Sequence, residues 1–205
     1  IEEKYEFNKT TVKTFVLDKI KGYLLTLIIG GILLLGAIYI VSLLENGFWV
    51  WLWISLSVIM LLVNMFYADL IVPIFNTLTP LESGDLREKI ESYTKKVGYS
   101  LKNIYIIDGS KRSSKANAFF SGLGPRKTIA LYDTLVEKHT EEELVAVLAH
   151  EVGHYKKKHV STSLFLTISQ LGLMCFLLET CLKVGEISQA LGGKEMVFHL
   201  GLVAF

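Results

Sequence analysis

The sequence predicts a multi-span α-helical membrane protein that carries a small α/β segment outside the bilayer. Three observations lead there. Hydrophobic residues make up 51% of the chain and mean hydropathy is +0.44, yet 20% of residues are charged, so apolar and polar residues must be segregated. They are: Leu24 to Leu44 runs 21 residues without a charge, enough helix to cross a hydrocarbon core of about 30 Å. Between the apolar runs, from Pro73 to His159, lies a polar stretch in which helical and strand periods alternate.

A second apolar run extends from Phe48 to Val72, interrupted by Asn64 and Asp69, and a third from Val160 to Val184. Met196 to Phe205 reads as the start of a further span. Only Glu45, Asn46 and Gly47 clearly separate the first two runs, which makes a membrane hairpin. The basic residues give its orientation. Lys4, Lys9, Lys13, Lys19 and Lys21 precede the first run, and the hairpin turn has no Lys or Arg. Arg87, Lys89, Lys95, Lys96, Lys111, Arg112 and Lys156 to Lys158 follow the second. The positive-inside rule therefore puts the N-terminal segment and the polar stretch on the cytosolic side, with the Gly185 to Glu195 connector opposite. A net charge of +1 argues against a nucleic-acid partner, and the Lys156–Lys158 run suits a lipid surface. Cys175 and Cys181 have no metal-ligand spacing and read as reduced residues. The chain opens on Ile1 rather than methionine, and both ends are expected to continue into a longer protein. The expected organisation is 1–72, N-terminal segment and hairpin; 73–159, cytosolic segment; 160–205, a transmembrane helix and the start of another.

The polar segment opens with a turn containing Pro73 and Pro80. Leu86, Ile90, Tyr93 and Val97 keep helical spacing over 85–97, and Gly98 is placed to stop that helix. Residues 102–108 are β-branched and aromatic and read as a strand, closed by a turn at Asp108-Gly109-Ser110. Residues 116–121 and 127–132 read as two more strands, joined by a turn at Gly122 to Pro125. A helix then starts at Thr140, whose N-cap forms a capping box with Glu143. Glu141, Glu142 and Glu143 suit the positive end of its dipole, and Leu144, Val147, Leu148 and Val152 give it an apolar stripe.

On that helix stands His150-Glu151-Val152-Gly153-His154. The histidines are four apart, so both imidazoles leave one face and can grip one zinc ion, with Glu151 beside it as general base for water. The polar stretch therefore reads as a small α/β zincin-like cytosolic metalloprotease segment. Catalytic zinc takes three protein ligands and leaves a position open. A metzincin would supply glycine at 157 and histidine at 160, where this chain has Lys157 and Val160. His159 lies about 140° around a continuous helix from His154, which makes it a surface or supporting residue rather than a ligand. Glu179 is 25 residues beyond His154, about 37 Å along such a helix, and is expected to pair with Lys183 or to line a polar cavity.

The run Asn117 to Gly124, then Ile129 to Leu135, Glu142-Glu143-Leu144 and His150 to Tyr155, resembles the type 1 CAAX prenyl protease family. His159, Phe7 to Thr10, Asp18-Lys19 and Pro73 to Asn76 extend the likeness over most of the chain. The resemblance implies an integral-membrane zinc endopeptidase, with His150 and His154 as metal ligands and Glu151 as catalytic base. It also implies that Asn117, Ala118 and Phe119 form a sheet edge on which an extended substrate lies. The third ligand it implies is a glutamate on a later helix, beyond Phe205, so the chain alone is expected to be inactive. The implied reaction removes the C-terminal tripeptide of prenylated proteins. Partners are then membrane lipid and peptide or membrane-protein substrates, prenylated ones among them. The implied membrane is the endoplasmic reticulum in a eukaryote and the inner membrane in a bacterium. Alternatives are a membrane-protein quality-control protease, a scaffold with a vestigial zinc motif, or a transporter using Glu179, Asp69 and Asn64.

Overall fold

A computed structural model describes residues 4–44, 46–99, 101–121 and 127–184. The chain forms two compact units. Among the described residues, one comprises those up to Tyr23 with those from Leu62 to His159; the other comprises those from Leu24 to Leu61 with those from Val160 to Val184.

Among the described residues, three helices are long and apolar enough to cross a membrane: Val12–Leu43 (α1), Phe48–Phe75 and His159–Lys183. α1 begins well before the uncharged run because Thr11 accepts the Thr14 amide at 3.2 Å and starts the helix there. None of its residues is buried, which is the pattern of a helix apolar all round. In the membrane unit, Phe48 and Leu52 pack with Cys175, Leu178 and Leu182. A Cβ at Gly172 would stand 3.0 Å from the Trp53 ring, so the small residue permits this close approach. Glu179 is buried; it pairs with Lys183, as expected, and also accepts the Gly47 and Trp49 amides at 2.9 and 3.0 Å. Both cysteines are free. The expected connector at 185–195 and span at 196–205 lie outside the described residues.

The second apolar run is not one regular helix. Phe48–Phe66 (α2) passes into a π-helical turn at Tyr67–Ile71 and then Val72–Phe75 (α3). The two prolines expected in a turn lie elsewhere. Pro73 lies in the helix just after the π-helical turn, where the regular hydrogen-bond ladder is already interrupted, and Pro80 ends an edge strand. That strand, Leu78–Pro80 (β1), was not legible because three residues carry no period.

In the other unit, β1 pairs antiparallel with Asn103–Ile107 (β2), β2 parallel with Thr128–Tyr132 (β4), and β4 antiparallel with Ala118–Ser121 (β3). The order is β1-β2-β4-β3, which leaves β3 at an edge. Helix Asp85–Lys96 (α4) stops as expected, with Gly98 at φ 68°. The turn expected between 122 and 125 lies outside the described residues. A short helix, Asp133–Lys138 (α5), was not anticipated. Asp133 anchors it, accepting the Ser110 and Thr134 amides at 2.8 and 2.7 Å together with the Ser110 hydroxyl. Helix Glu141–Lys156 (α6) has the full capping box, with the Glu143 amide on Thr140 Oγ1 at 3.3 Å and the Thr140 amide on Glu143 Oε2 at 2.9 Å. Leu144, Leu148 and Val152 bury one line of α6 against Ile90, Ile104, Ile129 and Leu131. Val147, expected in that stripe, is 38% exposed; it lies about 100° round the helix from Leu148. Helix His159–Lys183 (α7) does not continue α6. Lys158 between them has φ 58°, a left-handed residue that ends one helix before the next begins.

Candidate metal centre and peptide-binding edge

The capped N-terminus and buried stripe of α6 fix the rotation of the helix, and with it the direction of the opposite face. His150 and His154 leave that face with their Nε2 atoms 3.1 Å apart and their rings 4.8 Å apart at 74°. Two imidazole nitrogens bound to one zinc at tetrahedral angles stand roughly 3.3 Å apart, so this pair fits a shared ion. Both rings are exposed, while Glu151 between them is half-buried. On its other side His154 presents Nδ1 to Nδ1 of His159, at 2.8 Å. Among the described residues no group of three His, Cys, Asp or Glu side chains gathers as a metal site. Both oxygens of Glu179 are engaged by Gly47, Trp49 and Lys183.

Behind the histidines lies a cluster that sequence reasoning missed. Lys127 is 5% exposed, and its ammonium lies 3.6 Å from the Tyr155 ring and 4.4 Å from the Tyr99 ring. The two rings meet edge to face at 5.0 Å. Burial pushes the Tyr99 hydroxyl up to about 12, with Tyr155 and the Glu151 carboxylate adding to the effect. The lysine ammonium is thus held against the π faces of both tyrosines. The only signal in sequence is a lysine placed directly before a largely apolar strand.

The predicted edge residues lie together on β3. Tyr132 donates its amide to the Asn117 carbonyl at 3.0 Å, and Ala118, Phe119 and Phe120 stand opposite Leu131, Ala130 and Ile129. Antiparallel pairing alternates, so the main chain of Phe119 faces β4 while that of Ala118 and Phe120 faces away. The Ala118 amide is met by the Asn117 side-chain oxygen at 2.9 Å. Phe119 packs edge to face on Tyr67 at 6.2 Å, in a groove of about 600 Å³ that includes Ile71 and Phe75.

Residues 80–203 match the model of peptidase family M48. The chain belongs to peptidase family M48. Residues 1–77 match the family model described as CAAX prenyl protease N-terminal, five membrane helices, so the two matches meet within β1. This M48 chain is 37% identical over 207 residues to CAAX prenyl protease 1 homolog of Arabidopsis thaliana, covering 100% of this chain and 49% of that protein. It is 43% identical over 161 residues to CAAX prenyl protease 1 of Saccharomyces cerevisiae, covering 78% of this chain and 36% of the relative. The crystal structure of S. mikatae Ste24p matches with a TM-score of 0.83 at 39% identity, over 89% of this chain and 43% of that one. The chain thus spans half or less of the length of these relatives. As an M48 member with membrane helices it is an integral membrane protein, and membership of this metallopeptidase family implies a metal cofactor.

Proposed function

We propose that this chain forms the N-terminal and metal-binding part of a zinc-dependent membrane endopeptidase. The observation that carries it is the 3.1 Å approach of the two Nε2 atoms on a capped helix. His150 and His154 hold zinc, and the third protein ligand comes from outside the described residues. A bound zinc supplies Lewis acidity toward a scissile carbonyl and acidifies water. Glu151 accepts a proton from the attacking water and returns it to the leaving amine.

The substrate lies extended along β3. Ala118 and Phe120 offer it main-chain groups, the Asn117 amide lies beside the first of these, and Phe119 lines the groove next to it. The relatives' names support prenylated protein C-termini as the substrate class. A membrane anchor suits a lipidated substrate, which already resides in the same bilayer. The lysine and arginine distribution puts this chemistry on the cytosolic side, and in a eukaryote the resemblance implies the endoplasmic reticulum.

The test uses the natural full-length protein in detergent, assayed with a farnesylated CAAX peptide. Glu151→Gln is expected to keep stoichiometric zinc and lose at least 100-fold in kcat, whereas His150→Ala loses both. Wild-type cleavage by the Glu151 variant would refute the assigned base.

A further inference from the structure

The reading of His150 and His154 as a zinc pair leaves a third histidine without a role. We infer that His159 is a positioning residue for that pair: through Nδ1 it fixes the tautomer and orientation of His154, so that His154 Nε2 keeps a lone pair for the metal. The inference rests on the zinc reading and extends it.

The geometry starts with a break in the chain. In a continuous helix His159 would project from a different face than His154. Here α6 closes with the Lys157 amide on the Gly153 carbonyl at 3.0 Å and the Lys158 amide on the Tyr155 carbonyl at 2.9 Å. Lys158 then turns left-handed at φ 58°. This redirects the chain, and His159 returns to within 2.8 Å of His154 with the rings 4.9 Å apart at 66°. A left-handed conformation is unfavourable for a residue with a Cβ. The chain nevertheless adopts it at this site, where it forms the histidine contact.

The hydrogen bond has two possible polarities, and they are not equivalent. If His159 donates, the proton of neutral His154 sits on Nε2, which then donates to His150 Nε2 and blocks metal. If His154 donates from Nδ1, its Nε2 is unprotonated and faces His150 Nε2 at 3.1 Å, ready to share an ion. His159 can accept that proton with its own Nδ1 lone pair. Metal ligation by histidine characteristically relies on such a partner at the other ring nitrogen. The usual partner is a carboxylate or a carbonyl; here it is a second imidazole.

The test is zinc affinity, measured by competition with a chromophoric chelator on the natural full-length protein in detergent. His159→Ala is expected to weaken zinc binding about 10- to 100-fold. His159→Asn, whose amide oxygen can still accept from Nδ1, should restore affinity to within a few-fold. Helix content by far-ultraviolet circular dichroism should be the same for all three proteins. Wild-type affinity in His159→Ala would overturn the inference and leave the zinc reading intact. Equal loss in Ala and Asn variants, tracking a loss of helix content, would also overturn it, since the residue would then be structural. Absence of zinc from the wild type would instead overturn the zinc reading, and this inference with it.

Discussion

Arg112 grips Asp18 across 94 positions of sequence, its Nε and Nη2 donating to the two carboxylate oxygens at 2.7 and 2.9 Å. The same guanidinium donates to Asn76 Oδ1 at 2.8 Å and to the Phe75 carbonyl, while its backbone carbonyl accepts the Lys9 amide at 3.0 Å. One side chain thereby joins the N-terminal segment, the end of α3 and the turn after β2. The side chains are 23% and 25% exposed, so solvent screens the pair only in part. Arg112→Ala is expected to lower stability by about 2 kcal/mol, and Arg112→Lys by nearly as much, because an ammonium cannot reproduce the forked geometry. Thermal unfolding of both variants, with Asp18→Ala to close a double-mutant cycle, measures it.

The capping box of α6 holds the helix that presents the histidines. Thr140→Ala should cost about 1 kcal/mol, and Thr140→Ser much less. Frayed amides would appear first at 141–143 in hydrogen exchange. A cost as large for serine as for alanine would mean that the methyl, not the hydroxyl, matters.

Burial alone would push the Asp133 carboxyl up, but the Ser110 hydroxyl and the amides of Ser110, Thr134 and Gly109 hold it below its ordinary 3.8. A depressed folded pKa contributes stability above the unfolded value, and that stability is lost as pH falls through the folded one. Wild type should therefore lose thermal stability from about pH 4 downward, and Asp133→Asn should show a shallower acid loss. Glu142 and Glu143 are lowered as well, by Lys89 and by the Thr140 amide, so the readout is the difference between the two proteins.

Ala118, like Phe120, turns its amide away from β4; Asn117 Oδ1 accepts it, and an incoming strand would compete for it. Ala118→Pro removes that donor from an edge position where proline is tolerated, so the fold should persist. One main-chain hydrogen bond is worth about 0.5–1.5 kcal/mol net, hence kcat/KM should fall up to about tenfold with little change in zinc content. Unchanged kcat/KM would argue against strand addition at this edge.

Lys158 offers a separate handle on the histidine contact. Glycine adopts the left-handed conformation readily, so Lys158→Gly should retain wild-type zinc affinity. Proline cannot adopt φ 58° and lacks the amide bonded to Tyr155, so Lys158→Pro should lose zinc affinity as His159→Ala does.

Local signals in the sequence determined much of this protein. The uncharged run from Leu24, the capping box at Thr140, the stop at Gly98 and the His150/His154 spacing each depend on neighbours within a few residues, and each appears in the structure. So does the Glu179–Lys183 pair, one turn apart on α7. What the sequence could not determine were relations fixed by packing. Pro80 became a strand only because β2 lay beside it, and Glu179 met the Gly47 and Trp49 amides only because α2 and α7 pack together. Lys127 found two tyrosine faces from distant segments. The contact between His159 and His154 turned on a single left-handed residue, since helical spacing carries His159 away and the break at Lys158 brings it back. Helical and strand periods are local averages; the dihedral at one residue and the neighbours across a sheet are set by the packing of the whole chain.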